Sequence, residues 1–439
     1  MSCLRFRWVT PSLLLFLASA AAAMTATLPA RAQTVVRYQQ EGSRSLIFEN
    51  NPERLSLNYT DPVTGVNYWD LADSGLGQKS LLRHYLAPGS YRNFFEHLND
   101  SAGTIHYGIQ LYNPNSTAIT IVIRGKGFTT GRFGEAARPV LGGQPFVDLL
   151  TTRTAITVTL AAYGSTWVFR SDANYGNSRP ILQGDFFSGV VDFDVSGGNF
   201  YCTNLAYQNF NSLTSWSYMG FITRNGDTPG DAPESRLYKG LMGGAVAVTL
   251  PFTVGNSTPV GDLAVAYPPY NNDGSGQYFA AAANTPSNAW YTHDLPWRED
   301  PAVVNPPNPS RVVANDMFNI GTPGFGTIYA LAPTPVPNSP YLYANLGNWG
   351  VQYHALVRIT NQSTRARSFA LKLNTYSGGG GPIAYRDAGG VWRQTILGGA
   401  PFTYFTFSVP ANTTRSYDAY FILGGPAAGR LRQSVTLTN

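Results

Sequence analysis

The sequence predicts an all-β protein with two antiparallel β-sandwich modules, Ig-like or jelly-roll-like, and long loops rich in proline and glycine. Three observations support this fold class. Most apolar runs are short and alternate with polar residues, as they do in half-buried strands. The 45 glycines and 30 prolines interrupt helices and supply turns. A strand–turn–strand pattern also occurs once in each half of the chain, which indicates an internal repeat.

Strands are predicted along most of the chain. In the first half they fall at residues 35–38, 55–59, 105–112, 119–124, 156–160, 166–170, 189–195 and 199–206. In the second half they include residues 245–250, 261–267 and 433–438. Helical spacing is limited to residues 81–97 and to a single turn within 138–151, and neither segment has a convincing cap.

The repeat is formed by residues 105–117 and 351–364. Each copy is an alternating strand followed by a turn of Asn, Ser and Thr, and each is followed later by a matching hairpin, at residues 158–169 and 407–417. We expect His106 and His354 to lie one register step apart and therefore on opposite sheet faces. On that alignment the duplication repeats a scaffold rather than a site.

Three segments are predicted. Residues 1–32 resemble a secretory signal peptide, with Arg5 and Arg7, an apolar stretch, and the small-residue pattern Ala30-Arg-Ala32 before Gln33. The two modules follow at residues 33–222 and 223–439, the second with a Pro-rich insertion at 290–340. We therefore expect a secreted or periplasmic protein with no transmembrane helix after cleavage near Ala32; a retained N-terminal anchor is the alternative.

Composition argues against a nucleic-acid partner and against a disulfide within the mature chain. Cleavage would remove three of the 30 basic residues and none of the 25 acidic ones, so the mature chain would be nearly neutral. No cluster of Lys and Arg suits a nucleic-acid partner. Cys202 would be the single remaining cysteine, which rules out a disulfide within the chain and favours a buried thiol.

Histidines and carboxylates are densest between residues 84 and 106. His84, His97 and His106 could converge on a metal ion, but their spacing matches no known ligand motif. In a strand, Glu96 and His97 would point to opposite faces, so a structural His97 packed under aromatic rings is the favoured interpretation. No cofactor is predicted.

A second group of candidates lies in and after the Pro-rich insertion. His293 and Asp294 could do acid–base work, although polar residues that fix a surface loop are the favoured interpretation. Aromatic side chains beside them could form a binding surface. The candidate binding residues are Trp290, His293, Asp294, Trp297, Trp349 and Tyr353.

Carboxylates could also cleave glycosidic bonds. Asp192 and Asp194 alternate within one apolar strand, and Asp185 precedes them. Glutamate is scarce, and no Gly-x-Ser-x-Gly motif of a serine hydrolase occurs. The sequence therefore gives no pair of carboxylates that can be assigned as acid and base.

Short motifs resemble a known family. Residues 94–99 read Phe-Phe-Glu-His-Leu-Asn, a later strand leads into Asn113-Pro-Asn115, and residues 347–353 read Gly-Asn-Trp-Gly-Val-Gln-Tyr. From about residue 91 onward, these motifs resemble an uncharacterised family of exported bacterial proteins, frequent in cyanobacteria and known only as a domain of unknown function. The resemblance implies export but no activity or ligand. The family has a second histidine where this chain has Glu96, which weakens the metal hypothesis.

These observations favour a non-enzymatic secreted or periplasmic protein. We expect a role in envelope structure, adhesion or polysaccharide contact, with a cell-envelope polysaccharide or a surface protein as the partner. The alternative is an exported carboxylate-dependent hydrolase that acts on glycans. Two carboxylates in an aromatic-lined cleft, about 5–10 Å apart, would favour the alternative.

Overall fold

Strands dominate the computed structural model, which confirms the all-β prediction. The structure describes residues 35–37, 39–49, 54–55, 78–101, 103–132, 138–152, 154–172, 180–208, 239–266, 278–280, 349–375, 380–425 and 431–439. The signal peptide, the insertion at 290–340 and the boundary at 222/223 lie outside these residues. Residues 34–439 form one compact unit, so the division into two modules stays a prediction.

Within the described residues, the first half of the chain contains twelve strands and one helix. They are β1 (Val35–Arg37), β2 (Gln39–Gln40), β3 (Ser45–Glu49), β4 (Arg54–Leu55), β5 (Gln78–Leu86), β6 (Gly89–Asn99), β7 (His106–Tyr112), β8 (Ile119–Arg132), α1 (Arg138–Thr151), β9 (Ile156–Leu160), β10 (Ser165–Arg170), β11 (Asp185–Ser196) and β12 (Phe200–Tyr207). Residues 81–97, where helical spacing was noted, form parts of β5 and β6, so the helical interpretation is wrong there.

The remaining strands follow residue 238. They are β13 (Lys239–Gly243), β14 (Ala245–Val254), β15 (Gly261–Ala266), β16 (Tyr278–Ala280), β17 (Gln352–Asn361), β18 (Arg367–Thr375), β19 (Gly381–Arg386), β20 (Trp392–Leu397), β21 (Phe402–Val409), β22 (Thr413–Leu423) and β23 (Leu431–Leu437). Their bounds agree with the predicted strands at 245–250, 261–267 and 433–438 to within a few residues.

The strands form four sheets, which we name I to IV. Sheet I has the order β10-β7-β12-β5, and sheet II has the order β13-β3-β6-β11-β8-β9, with β4 beside β6. Sheet III is β2-β14-β17-β22-β19-β20, and sheet IV is β1-β16-β15-β23-β18-β21. Most neighbouring strands are antiparallel, and the parallel pairs among the described strands are β3–β6, β4–β6 and β14–β17.

Sheet II is buried on both faces. Along β6, Tyr91 and Phe95 face a core shared with sheet I, whereas Phe94 faces a second core that continues into sheets III and IV. Strand side chains alternate between faces, so a strand buried on both sides must carry apolar residues at consecutive positions. This explains the run Phe94-Phe95 in β6 and the nearly continuous apolar sequence of β11.

Helix α1 is longer than the single predicted turn, and its contacts explain why. The helix packs between β8 and β11 on one side and β19 and β20 on the other. Pro145 lacks an N–H and cannot bond to the Leu141 carbonyl, and the Thr129 hydroxyl donates to that carbonyl instead. Gly127 has no side chain to clash with the Pro145 backbone, which allows this close approach. No helix within the described residues is long and apolar enough to cross a membrane.

The repeat found in the sequence is present in the structure as a shared Asn-centred turn. The Asn113 amide group donates to three backbone carbonyls, those of Thr117, Leu160 and Ala161. The Asn361 amide group does the same to Arg365, Val409 and Pro410. Each Asn carbonyl oxygen accepts the backbone N–H two residues later, at Asn115 or Ser363. We call this arrangement the Asn clamp.

The Asn clamp holds the same set of strands in both copies. It joins β7, β8 and the β9–β10 turn in the first copy, and β17, β18 and the β21–β22 turn in the second. The prediction of hairpins at residues 158–169 and 407–417 is wrong, because the two strands that flank each turn pair in different sheets. These turns between sheets also match, because Tyr163 and Asn412 both adopt a positive φ, of 56° and 53°. In each copy, one buried Asn side chain therefore donates hydrogen bonds to three backbone carbonyls at the place where the strands diverge into two different sheets.

The clamp corrects the expected histidine register. Asn113 and Asn361 are equivalent, and His106 and His354 lie at the same distance before them in the chain. Each histidine points away from the core that its next neighbour helps to fill. That neighbour is Tyr107 in the first copy and Ala355 in the second, and the two belong to different cores. The expectation of opposite faces is therefore wrong: the copies share a histidine at one position.

We predict that Asn361→Ala destabilises the protein by about 2–4 kcal/mol, because several buried carbonyls lose their donor. The exposed neighbour Gln362 provides the matched control, and Gln362→Ala should change the free energy of unfolding by less than about 0.5 kcal/mol. Urea unfolding of both variants measures this difference. Equal midpoints for the two variants would show that the clamp is dispensable.

Candidate functional site

Two chain segments cross from sheet II to sheet III side by side, and we call this place the double crossover. Residues 41–44 connect β2 to β3, and Gly244 connects β13 to β14. The Glu41 N–H donates to the Ala245 carbonyl, and the Gly244 N–H donates to the Arg44 carbonyl, each at 2.9 Å. Gly42 adopts a φ of 69°, which favours glycine and lets the chain turn within four residues.

A cavity of about 370 Å³ opens beside the double crossover. Its walls come from the crossover itself, from β6 in sheet II and from β17 and β22 in sheet III. The lining residues are Glu41, Gly42, Ser43, Arg44, Ser90, Arg92, Gly244, Ala245, Gln352 and Tyr420. Its size is near the lower end of the range of ~300–1,000 Å³ for ligand sites, and its lining combines charged, hydroxyl and aromatic groups.

A buried ion pair forms the sheet II side of the cavity. Arg92 and Asp192 are each only 1% exposed. The guanidinium of Arg92 donates from Nε to Asp192 Oδ1 at 2.7 Å and from Nη2 to Oδ2 at 3.0 Å. Arg44 Nη1 also donates to Asp192 Oδ2. Two guanidinium groups therefore share one carboxylate, which leaves one positive charge in excess.

The ion pair also binds the neighbouring sheet. Arg92 Nη1 donates to the carbonyl of Gly350 at 3.2 Å, and the Gly350 N–H donates to the Leu423 carbonyl in β22. Gly350 has a φ of 82°, and a Cβ there would lie 3.2 Å from Phe94 Cβ. Glycine at this position satisfies both the backbone conformation and the close packing on sheet II.

On the sheet III side, a histidine lies between two carboxylates. His354 Nδ1 is 2.6 Å from Glu41 Oε1, and His354 Nε2 is 2.8 Å from Asp418 Oδ1. Carboxylates only accept hydrogen bonds, so both contacts are hydrogen bonds when the ring carries a proton on each nitrogen. The Tyr420 ring stacks on the imidazole, with centroids 4.4 Å apart.

Tyr420 stays a neutral phenol at the cavity wall. Burial raises its pKa, and the nearby carboxylates of Asp418 and Glu41 raise it further. A neutral phenol can both donate and accept a hydrogen bond. The cavity thus contains a hydroxyl group from Tyr420 beside those of Ser43 and Ser90.

The three carboxylates considered for glycoside cleavage are each close to an arginine. Asp192 receives Arg92 and Arg44, and Asp194 pairs with the exposed Arg124 at 2.6 Å. Asp185 accepts the Leu182 N–H and lies 3.8 Å from Arg132. The arrangement therefore singles out no two of these residues as an acid and a base.

Two of the predicted metal ligands, His97 and His106, do not come together. His97 lies within the core between the rings of Tyr107 and Phe187, with centroids 5.5 and 5.4 Å away, and Glu49 is 4.0 Å from its Nε2. Glu96, on the opposite face as expected, packs against Gly425. No group of three His, Cys, Asp or Glu side chains within the described residues could hold a metal ion.

His106 does not contact His97, and the side chain of His84 lies outside the part of the chain that the structure describes. His106 points out of the core that contains His97 and packs against the Tyr207 ring. Burial lowers the pKa of His106, although the carboxylate of Asp172 acts in the opposite direction. His84 lies in β5, where its backbone pairs with that of Cys202.

Of the six predicted binding residues, two pack in the core and four lie outside the described part of the chain. Trp349 is half-buried and stacks on Phe48, and Tyr353 is fully buried and stacks on Phe421 with centroids 4.5 Å apart. Both packing contacts give these rings a role in the core around sheet III. The remaining four residues lie outside the described part of the chain: Trp290, His293, Asp294 and Trp297.

Sequence reasoning missed the residues that line the cavity. A signal for one of them was present, because Arg92 is a charged residue within a strand rich in aromatic residues. Its partner Asp192, which lies behind the lining, was noted in the sequence only as a possible carboxylate of a glycosidase. Charged residues are costly to bury and are generally paired. Nothing in the sequence indicated that Glu41 and Asp418 approach His354, since the three residues lie in distant strands and loops.

Two comparisons with known proteins found no match. No protein-family model matches the chain, and none of the curated proteins searched matches it. The resemblance to an uncharacterised exported family therefore stays a prediction, and the function must be inferred from the site.

We predict that Asp192→Asn destabilises the protein by about 3–5 kcal/mol, because it leaves the buried Arg92 charge without a counter-ion. Asp194→Asn, on the same strand, should cost less than about 1 kcal/mol, since its ion pair with Arg124 is exposed. Denaturant unfolding of the two variants measures both values. A loss for Asp192→Asn no larger than that for Asp194→Asn would contradict the central role of the buried pair.

We also predict an unreactive native thiol. Burial raises the pKa of Cys202 to about 12, and the thiol is only 1% exposed. Iodoacetamide at pH 8 should leave the folded protein unlabelled and label the unfolded chain, because the thiolate is the reactive form. Mass spectrometry measures labelling under both conditions, and rapid labelling of the folded protein would show an accessible, activated cysteine.

Proposed function

We propose that this protein is a non-enzymatic secreted or periplasmic β-sandwich protein that contacts cell-envelope polysaccharide, with the cavity at the double crossover as its saccharide site. Support for export comes from the signal-like segment at residues 1–32, and support for the site comes from the cavity. Its rigid walls belong to two sheets joined by a buried ion pair, which suits recognition of a ligand without large rearrangement.

The observation that carries this proposal is the paired state of the charges around the cavity. Asp192 is bound by two guanidinium groups, and Glu41 is bound by His354. Groups fixed in this way present hydrogen-bond donors and acceptors in constant positions. Together with Ser43 and Tyr420, they form a polar surface suited to sugar hydroxyl groups.

The alternative function is an exported carboxylate-dependent hydrolase that acts on glycans. One observation favours it, because Glu41 lines the cavity and is backed by His354, an arrangement that could supply a proton. Against it, the nearby Asp192 is bound by two arginines and does not line the cavity. Release of new reducing ends from a bound polysaccharide would favour the hydrolase.

We predict that Ser43→Trp abolishes polysaccharide retention by filling the cavity. Ser116→Trp is the matched control, because it places the same side chain on an exposed turn that does not line the cavity. The mature chain would be tested on a glycan array and on cell-wall polysaccharide columns, and retention should fall about tenfold or more for Ser43→Trp only. Urea midpoints should be equal for both variants.

Two results would contradict the proposal. One is that no glycan on the array and no cell-wall polysaccharide column retains the mature protein. The other is equal retention of Ser43→Trp and wild type, which would place the polysaccharide contact elsewhere on the molecule.

A further inference from the structure

We propose that the cavity at the double crossover selects an acidic saccharide, a sugar residue that carries a carboxylate, and that Arg44 receives this carboxylate. The inference rests on the proposed function and adds the class of ligand. It comes from the uneven use of the two arginines beside the cavity.

Arg92 and Arg44 differ in how many of their donors are engaged. Arg92 uses Nε and Nη2 on Asp192 and Nη1 on the Gly350 carbonyl, and it is fully buried. Arg44 uses only Nη1, again on Asp192, and its side chain is 31% exposed. Its Nε and Nη2 groups have no acceptor within the described part of the chain, and the residue lines the cavity.

The charges around Asp192 favour an anion at Arg44. On the sheet III side the balance is reversed, because two carboxylates share the imidazole of His354. One carboxylate, Asp192, faces two guanidinium groups, so the Arg92 pair is neutral and Arg44 supplies the excess positive charge. Asp192 also holds the Arg44 guanidinium in place before a ligand arrives, which lowers the entropic cost of binding. A planar guanidinium binds a carboxylate through two parallel hydrogen bonds.

The rest of the cavity limits where the negative charge of a ligand can lie. Glu41 uses Oε1 on His354, and its Oε2 atom would repel a second anion while accepting hydrogen bonds from hydroxyl groups. Ser43, Ser90, Gln352 and Tyr420 add uncharged donors and acceptors. A ligand with one carboxylate and several hydroxyl groups, such as a uronic acid residue, complements this arrangement.

An α-amino acid is the rival ligand, since its ammonium group could bind Glu41 while its carboxylate binds Arg44. The four uncharged polar side chains favour the sugar, because an α-amino acid with a small side chain would leave most of them without a partner. The cavity volume of about 370 Å³ suits one or two sugar rings.

The test measures binding of the mature chain by calorimetry to oligogalacturonate, its methyl ester, a neutral glucose oligomer and alanine. Oligogalacturonate should bind, with an affinity that falls with added salt. Its methyl ester should bind about tenfold or more weakly, as should oligogalacturonate to Arg44→Gln. Arg124→Gln, which removes an exposed arginine from a surface ion pair, should leave the affinity unchanged.

The outcomes separate this inference from the proposed function. Equal binding of the acid, its ester and the glucose oligomer by wild type would overturn the inference and leave polysaccharide contact standing. Binding of alanine instead of every sugar would overturn both, and so would binding of none of the probes together with no retention on any glycan. The ester comparison uses wild-type protein, so it decides even if Arg44→Gln fails to fold.

Discussion

The buried ion pair between Arg92 and Asp192 is the constraint on which the rest of the structure depends. A charge without a partner in the protein interior costs several kcal/mol, so neither residue can be buried without the other. The pair lies on the face of sheet II that packs toward sheet III, and its third donor reaches the Gly350 carbonyl. The packing of the sheets therefore depends on keeping these charges together.

Sheet II is the layer that the two hydrophobic cores have in common. Its two faces contribute to different cores, and α1 packs between sheet II and the strands β19 and β20 of sheet III. The chain crosses between these sheets twice in one place, and the cavity lies beside those crossings. A site formed in this way combines residues from both halves of the chain, which explains why the repeat alone did not reveal it.

The sequence predicted the fold class well and the site poorly, for physical reasons. Strand positions follow from local alternation of apolar residues, so the predicted strand at residues 156–160 agrees with β9 at both ends. Alternation failed in the part of residues 81–97 that belongs to β6. This strand is buried on both faces, so its apolar residues do not follow a period of two. Helix α1 escaped prediction because a threonine on β8 compensates for Pro145, a contact that no local pattern contains.

In the repeat, too, the sequence indicates local turns but not contacts between distant segments of the chain. The turn residues were recognised in both copies, but the alignment was placed one residue away from the one that the Asn clamp defines. His106 and His354 are equivalent, yet their surroundings differ: Tyr207 packs on the first, whereas Glu41 and Asp418 bind the second. Equivalent backbone positions have thus acquired different chemistry from strands that lie outside the repeat.

The central claim is that the double crossover is a ligand site held by the buried ion pair. Hydrogen–deuterium exchange of the mature chain, with and without an acidic oligosaccharide, tests it most directly. The account predicts slower exchange in peptides that contain residues 41–44 and 244–245, with no change around the Asn113 clamp. Unchanged exchange at the double crossover, with protection elsewhere in the chain, would contradict it.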